Sequence, residues 1–448
     1  MSATQQTPNA AAAGRFIAAA TQQNFTAEVV DAARMCLVDT VGVALGARDE
    51  PAGQVARKVA GNWGSRGDAQ ILLGGKAAPA AAALVNATMG HCLDYDDTHV
   101  GAVAHLSNPT WNATLAMGLH HGASERAMLA AFIAGFETGA RLGNNGLGQV
   151  VNLHGFHSTG VFGCLAAATA ASVLLGLDET GVRNALGAAA TQVGGLVASF
   201  GTMAKPFHAG KAALNGILAA ELAAEGFTAA QDMLEPDGPL AAALVQDKEM
   251  GLQVFDPADP WELPRNTFKP YSCCLLTHPV VDSARAVADR IKGRDVAEIL
   301  VQVGTPAIHL AGKPAPATGL EGKFSTAYCA ALGLTGHGAT AADFDDAKVA
   351  DPALQALVRR TRLIEEADRD VRSARIEIRF VDGGTLDSAT DMALGNPGNP
   401  MSWADMRVKF DALVAPVLGE RDCAELFDLL RHFDTGAAKA FVRLVGRG

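Results

Sequence analysis

The stretch TGVFGCLAAATAASVLLG, residues 159–176, contains no charged residue. It is nearly long enough to cross a bilayer. Alanine dominates it, however; Thr, Ser and Gly are spread along it, and neither a basic flank nor an aromatic belt accompanies it. We therefore predict a helix buried in a protein core and expect no membrane partner.

Similar Ala-rich segments, with apolar residues three and four apart, recur from about Thr26 to Gly226. Short Gly, Pro, Asn or Asp punctuation separates them. Thr26 is expected to cap the first of these helices. The others are predicted near residues 78–91, 110–121, 125–142, 159–175 and 211–225. Because small residues let helix axes approach closely, the pattern favours a compact all-helical domain.

The pattern changes in the second half of the chain. Residues 298–304 (EILVQVG) and 374–381 (ARIEIRFV) alternate between apolar and polar side chains, which is typical of strands. Asp382 and Gly383 then predict a hairpin turn into a strand at residues 385–390. These elements indicate a smaller α+β domain.

The clearest linker is GNPGNP at residues 395–400, after which helical periodicity returns. We predict a mainly α protein, with a large all-helical domain and a smaller α+β lid domain. The helical domain is assigned residues 1–267, the lid residues 268–400, and the C-terminal helices that rejoin the helical domain residues 401–448.

Composition excludes several classes of protein. With 49% hydrophobic and 19% charged residues, the chain is expected to be globular and to divide into two or more domains. A formal net charge of −11 and the absence of Lys/Arg-rich runs argue against a nucleic-acid partner. Seven cysteines without a C-x-x-C pair fit reduced thiols. The first 24 residues lack the features of a secretory signal, so a cytoplasmic location is expected.

Eight of the twelve histidines fall between residues 91 and 208. The first group is H-C-L-D-Y-D-D-T-H at residues 91–99, followed by His105. Its carboxylates could orient neighbouring imidazoles, so that one histidine exchanges a proton near neutral pH. Alternatively, the three aspartates cap neighbouring turns.

Two further motifs precede apolar helices. In G-F-H-S-T-G, residues 155–160, His157 stands before the charge-free helix, whose N-terminus would add positive potential for a carboxylate. Alternatively, Ser158 or Thr159 simply caps that helix. In K-P-F-H, Lys205 lies in an apolar stretch where an uncompensated ammonium is costly, so we expect an anion near it.

The remaining candidates lie in the second domain. F-K-P-Y-S-C-C-L-L-T-H at residues 268–278 provides Lys269, Tyr271 and His278, which we expect to face a small-molecule pocket. The alternative is a hinge with a buried structural histidine. In E-G-K-F-S-T-A-Y, Tyr328 is flanked by apolar residues.

These motifs, in this order, resemble those of the MmgE/PrpD family over nearly the whole chain. D-Y-D-D-T, G-F-H-S-T-G and K-P-F-H carry most of the likeness. The family includes 2-methylcitrate dehydratases, cis-aconitate decarboxylases and iminodisuccinate epimerases, which work without a metal or an organic cofactor. The resemblance therefore implies a homodimer with a helical large domain, an α+β lid and no cofactor.

Carried over by motif, the resemblance implies an active site lined by Asp94, Thr98, His105, His157, Lys205, Lys269 and Tyr328. Tyr271 and His208 are added as candidates for substrate binding. We expect His105, oriented by Asp94, to transfer the proton, with Tyr328 as a partner. The two lysines and His157 would stabilise the negative charge that develops beside a carboxylate.

Three reactions share that first step. Loss of hydroxide gives a dehydratase, reprotonation from the opposite face gives an epimerase, and loss of CO2 gives a decarboxylase. A dehydratase-type lyase acting on a small hydroxy-polycarboxylate such as 2-methylcitrate is preferred, because β-elimination needs only one base and one acid. The sequence departs from the family at His105-Leu106-Ser107, where His-Pro-Ser is common, so the substrate stays open.

Two alternatives come from other classes. The aspartates of the first motif could bind Mg2+, as in helical terpene synthases, although a second acidic motif is missing. A catalytically inactive protein that binds polycarboxylates would carry the same pocket residues. Loss of activity with EDTA would indicate the Mg2+-dependent alternative, and ligand binding without turnover would indicate the inactive binding protein.

Overall fold

The computed structural model describes residues 9–235, 238–246 and 255–446, which form two compact units. The first unit comprises the described residues within Met1–Cys92, Asp96–Asn266 and Met406–Gly448. The second comprises Leu93–Tyr95 and Thr267–Asp405. The three residues Leu93–Tyr95 thus belong to the second unit, although both of their neighbours in the sequence belong to the first.

The first unit consists of α-helices packed on one another, with one two-stranded antiparallel ribbon, β1 (Ala69–Gln70) and β2 (Lys76–Ala77). Its helices before the second unit are α1 (Asn9–Ala18), α2 (Ala27–Gly46), α3 (Pro51–Asn62), α4 (Pro79–Cys92), α5 (Ser107–His121), α6 (Glu125–Gly143), α7 (Leu147–Leu153), α8 (Ser158–Leu174), α9 (Glu179–Ala190), α10 (Ala204–Ala224) and α11 (Pro239–Val245).

The charge-free stretch is helix α8, and its residues are buried from Ser158 to Val173. Helices α6 and α10 both pack against it. A Cβ atom at Gly216 of α10 would lie 2.5 Å from the backbone nitrogen of Ala168 in α8, so only glycine permits this approach. Among the described residues, no helix combines the length and apolar character that a bilayer crossing requires.

Thr26 caps α2 as predicted: its side chain accepts a hydrogen bond from the Val29 amide at 3.4 Å. Helix α10 begins at Ala204, seven residues before the predicted start, and so includes Lys205 and Pro206. Proline is tolerated in the first turn of a helix because the amide it lacks has no partner there. The K-P-F-H motif is therefore helical.

The second unit combines short helices with a mixed four-stranded sheet. Its elements are α12 (His278–Arg285), α13 (Ala288–Ile291), β3 (Val296–Val303), α14 (Thr305–Ala311), α15 (Gly319–Gly322), α16 (Thr326–Leu334), α17 (Asp346–Val349), α18 (Pro352–Arg360), β4 (Thr361–Glu365), β5 (Ala374–Phe380) and β6 (Thr385–Thr390). The strand order is β4-β3-β5-β6.

The three predicted strands are β3, β5 and β6, paired antiparallel in that order. Ile376, Ile378 and Phe380 of β5 are buried on one face, as their alternation indicates. Gly383 has a φ of +85° in the turn into β6. Strand β4, which pairs parallel to β3, was not predicted because it has no fully buried face.

The chain ends in α19 (Trp403–Leu418), α20 (Glu420–Arg431) and α21 (Ala437–Val445). Helix α20 packs on α2. From α19, Lys409 Nζ lies 2.5 Å from Asp39 Oδ1 of α2, and both side chains are buried. A mainly α fold with a small α+β part is thus confirmed.

Candidate active site

Four polar residues of the first group meet within the first unit. His91, in the last turn of α4, places Nδ1 2.9 Å from each carboxylate oxygen of Asp96. His105, just before α5, places its Nδ1 3.4 Å from Asp96 Oδ2 and 3.3 Å from Thr98 Oγ1. One buried carboxylate therefore serves two imidazoles.

Their surroundings keep His91 neutral and Asp96 ionised. Burial lowers the pKa of His91 to about 4, and the positive charge of Lys205 acts in the same direction. Burial alone would raise the pKa of Asp96, but His91 and His105 beside it hold that pKa well below its usual range. The cluster thus combines a fixed negative charge with a neutral imidazole at neutral pH.

The same contacts indicate the tautomer of His105. Its Nδ1 faces acceptors: the Asp96 carboxylate, the Asp96 carbonyl oxygen at 3.3 Å and the Thr98 hydroxyl oxygen. We therefore assign the proton to Nδ1 and the lone pair to Nε2. The carboxylate beside His105 in this unit is that of Asp96, whereas the sequence suggested Asp94 for this role.

A second histidine pair joins two other motifs. His157, the residue before α8, places Nδ1 3.1 Å from Nδ1 of His208 in α10. Burial lowers the pKa of His157 well below its usual value and also lowers the pKa of His208. Gly195, at a φ of +131°, makes room for His208, because a Cβ atom there would lie 2.7 Å from the ring.

The two pairs are in contact through their rings. The His91 ring stacks on that of His157 with centroids 5.7 Å apart, and meets the His105 ring edge-on at 4.5 Å. Phe200 packs edge-on against His157 at 4.8 Å. Lys205 Nζ lies 5.4 Å from the centroid of the Phe200 ring. The first unit therefore assembles His105, Thr98, His157, His208 and Lys205.

The alternative helix-capping roles of Ser158, Thr159 and Asp96 are wrong. Thr159 does not cap α8; its Oγ1 accepts a hydrogen bond from the His105 amide at 3.0 Å and so fixes the backbone of that histidine. Ser158 donates to the Gly148 carbonyl oxygen at 2.9 Å. The Asp96 carboxylate is occupied by histidines.

Asp97, the next residue, has a different environment from Asp96. Its amide donates to Asp39 Oδ2 at 2.9 Å, while neither of its own carboxylate oxygens has a hydrogen-bond partner among the described residues. Burial, followed by the charge of Asp39, raises the pKa of Asp97 to about 8. Asp97 is therefore protonated at neutral pH.

The second unit contains Asp94 with two lysines. Lys269 Nζ donates to the Asp94 carbonyl oxygen at 2.8 Å and lies 3.3 Å from Asp94 Oδ1. Lys323 Nζ donates to the Leu93 carbonyl oxygen at 2.5 Å and to Ser272 Oγ at 3.0 Å. Lys323 was missed by sequence reasoning, because Glu321, Ser325 and Thr326 give its segment a polar character and no sign of a buried lysine.

Tyr271 and Tyr328 lie in the hydrophobic core of the second unit. The Tyr271 hydroxyl donates to Asp282 Oδ1 at 2.5 Å, and the Tyr328 hydroxyl donates to the Asp343 carbonyl oxygen at 2.7 Å. Burial raises the pKa of both, so both hydroxyls stay protonated. His278 is also fully buried, with Nε2 3.3 Å from the Cys273 carbonyl oxygen.

Within the described residues, one group has the spacing of a metal site. Ligand atoms of His91, Asp96 and His105 lie within 4.8 Å of one another. Their mutual hydrogen bonds already account for the arrangement, and the positive charge of Lys205 acting on His91 disfavours a cation there. Activity without a metal stays a prediction.

Comparison with known proteins identifies the class. Residues 12–253 match the MmgE/PrpD N-terminal domain, and residues 271–434 match the MmgE/PrpD C-terminal domain. The chain therefore belongs to the MmgE/PrpD family.

Its relatives include cis-aconitate decarboxylases from three organisms. The Aspergillus terreus (strain NIH 2624 / FGSC A1156) enzyme is 28% identical over 396 residues, covering 81% of this chain and 80% of the relative. The Homo sapiens enzyme is 26% identical over 434 residues, covering 92% and 89%. The Mus musculus enzyme is 28% identical over 360 residues, covering 76% and 72%.

Proposed function

We propose that this protein is a lyase that transfers a proton at a carbon atom beside a carboxylate of a small polycarboxylic acid. The observation that carries the proposal is the buried Asp96 carboxylate shared by His91 and His105. A carboxylate that holds Nδ1–H leaves Nε2 of His105 free to act as a base and stabilises the imidazolium that forms. Family membership supports the same reaction class.

In the dehydration that we prefer, Nε2 of His105 takes the proton from carbon. The electron pair of the broken C–H bond forms a carbon–carbon double bond as the adjacent C–O bond breaks. Hydroxide leaves and is protonated to water by an acid of the site. In this proposal His157 and Lys205 stabilise the negative charge on the substrate carboxylate. The other predicted catalytic or binding residues are Asp94, Lys269 and Tyr328. The other predicted substrate contacts are Thr98, His208 and Tyr271.

Decarboxylation is the second candidate, because the relatives named above are cis-aconitate decarboxylases. Here the bond to the departing CO2 breaks first, and its electron pair stays on carbon. Protonated His105 then delivers a proton to that carbon. The same residues serve both reactions in opposite protonation states, so substrate identity decides between them. A homodimer remains part of the proposal on the family resemblance, and a cytoplasmic location remains an expectation from the sequence.

Proton NMR in D2O tests the proposal. EDTA-treated protein would be incubated with 2-methylcitrate, citrate, cis-aconitate, malate, tartrate and iminodisuccinate. A new vinyl signal from a hydroxy acid indicates a dehydratase. A new vinyl signal from cis-aconitate, with loss of CO2, indicates a decarboxylase. Deuterium at an α-carbon without a new product indicates an epimerase.

Binding without chemistry would contradict the proposal. If a panel member raises the melting temperature yet stays chemically unchanged, the protein is a polycarboxylate-binding protein and not a lyase.

A further inference from the structure

Asp94 has an unusual backbone conformation for a residue with a side chain. Its φ is +52°, in the left-handed region that disfavours a Cβ atom. Such conformations persist only where the surroundings hold them, and they occur often at functional sites. The contacts that hold Asp94 are therefore informative.

Side chains of the second unit bind the carbonyl oxygens of Leu93 and Asp94. The Leu93 carbonyl oxygen accepts from Lys323 Nζ at 2.5 Å and from Ser272 Oγ at 3.2 Å. The Asp94 carbonyl oxygen accepts from Lys269 Nζ at 2.8 Å. Two ammonium groups thus hold two successive carbonyl oxygens.

Both lysines are buried, which is uncommon. Lys323 is 8% exposed and Lys269 is 3% exposed. In the same unit, the Lys313 side chain is 46% exposed and pairs with Glu321. Removing an ammonium from water is costly unless hydrogen bonds compensate, and in Lys323 those bonds go to Leu93 and Ser272.

We propose that Lys323 is a positioning residue, which holds the Leu93 carbonyl and thereby fixes the left-handed conformation of Asp94. This inference rests on the proposed function, because it takes Asp94 to be an active-site residue. Lys269, which contacts the Asp94 carboxylate itself, is already a predicted site residue; Lys323 acts one residue earlier, through the backbone. Asp96, the partner of His91 and His105, follows Tyr95 directly in the sequence.

The test compares Lys323→Met with Lys323→Arg and with Lys313→Met as the matched surface control. Hydrogen-exchange mass spectrometry would follow a peptide that covers Leu93–Tyr95, and steady-state kinetics would follow turnover. In Lys323→Met we expect faster exchange in that peptide and a fall in kcat of about 100-fold with KM changed by less than about threefold, the scale of a displaced catalytic group. Lys323→Arg should restore part of both, and Lys313→Met should change neither.

Three outcomes would overturn the inference. A KM that rises with kcat unchanged would make Lys323 a direct substrate ligand. Unchanged exchange and turnover would make its contacts incidental. A loss of thermal stability with a normal kcat in the folded fraction would make its role structural only.

The test remains decisive in two difficult cases. If Lys323→Met does not fold, Ser272→Ala removes the milder contact with the same carbonyl oxygen and should give a smaller change of the same kind. If the wild type turns over no acid of the panel, the proposed function fails, but the exchange comparison still shows whether Lys323 holds Leu93–Tyr95.

Discussion

The two units hold their polar residues in different ways. In the first unit, buried imidazoles are kept neutral around one ionised carboxylate, Asp96. In the second, buried ammonium groups of Lys269 and Lys323 are bound to backbone carbonyl oxygens. An imidazole oriented by a carboxylate can accept a proton through its other nitrogen, whereas a lysine bound in this way keeps a backbone segment in place. The difference suggests that proton transfer belongs to the first unit and positioning to the second.

The largest loss of activity is expected when the proposed base, His105, is replaced. His105→Gln keeps a side chain of similar reach but removes the proton-accepting Nε2, so kcat should fall by about 10³-fold, within the range for loss of a general base. Steady-state kinetics on the substrate found by NMR would measure it. His121→Gln, at an exposed histidine ending α5, is the control and should retain full activity. Equal activity in both variants would remove His105 from the mechanism.

The neutrality of the imidazoles is tested next through Lys205. Burial is the main cause of the low pKa values of His91 and His157, and Lys205 lowers both further. Lys205→Met should therefore raise both pKa values and move the acidic limb of the kcat/KM profile to higher pH. We also expect kcat/KM to fall by about 10- to 100-fold through lost charge stabilisation. An unshifted limb would show that Lys205 does not act on the histidines.

A smaller effect concerns stability and pH at Asp97. Its pKa of about 8 in the folded protein lies above the usual 3.8, so between those values folding retains a proton that the unfolded chain has lost. The protein therefore loses stability as pH rises through this window. Asp97→Asn, which is neutral at every pH, should gain about 4 kcal/mol of unfolding free energy relative to the wild type on going from about pH 5 to about pH 9, because about three pH units of this titration fall in that range. Urea unfolding of both proteins at about pH 5 and about pH 9 measures this difference in unfolding free energy. If the unfolding free energies of the two proteins change with pH in parallel, Asp97 is not protonated in the folded protein.

The smallest expected effect is that of metal removal. The His91, Asp96 and His105 contacts are hydrogen bonds in this account, so EDTA treatment should leave kcat within about twofold, well below one factor-of-ten energy step. Activity that is lost with EDTA and restored by a divalent cation would instead make these residues metal ligands.

Much of the fold follows from local pattern. Helix α8 is predictable because an uncharged, Ala-rich stretch can be stable only where it is buried, and β5 because its buried side chains alternate. Strand β4 has no such signal, since its stability comes from pairing with β3 and not from a buried face. The early start of α10 escaped prediction because Lys205-Pro206 is compatible with both a loop and a first helical turn.

The sequence motifs that form the candidate site could be predicted, but not which side chains within them contact each other. D-Y-D-D-T contains three carboxylates, and only the backbone conformation decides which one faces a histidine. Asp94, with its positive φ, contacts Lys269, and Asp96 contacts His91 and His105. The Asp97 carboxylate is buried near Asp39 and faces no histidine among the groups that act on it. A one-dimensional pattern carries no information on these directions.

The adjacent pair Asp96 and Asp97 therefore offers the most direct test of the central claim, that an ionised Asp96 holds the base of a proton-transfer lyase. The measurement is deuterium incorporation from D2O at the reacting carbon, followed by NMR in Asp96→Asn and Asp97→Asn. We predict that Asp96→Asn slows incorporation by about 100-fold, because a neutral amide cannot stabilise an imidazolium as the carboxylate does. Asp97→Asn should stay within about threefold of the wild type, because it replaces a carboxyl group that is already neutral. Equal rates in the two variants would contradict the account.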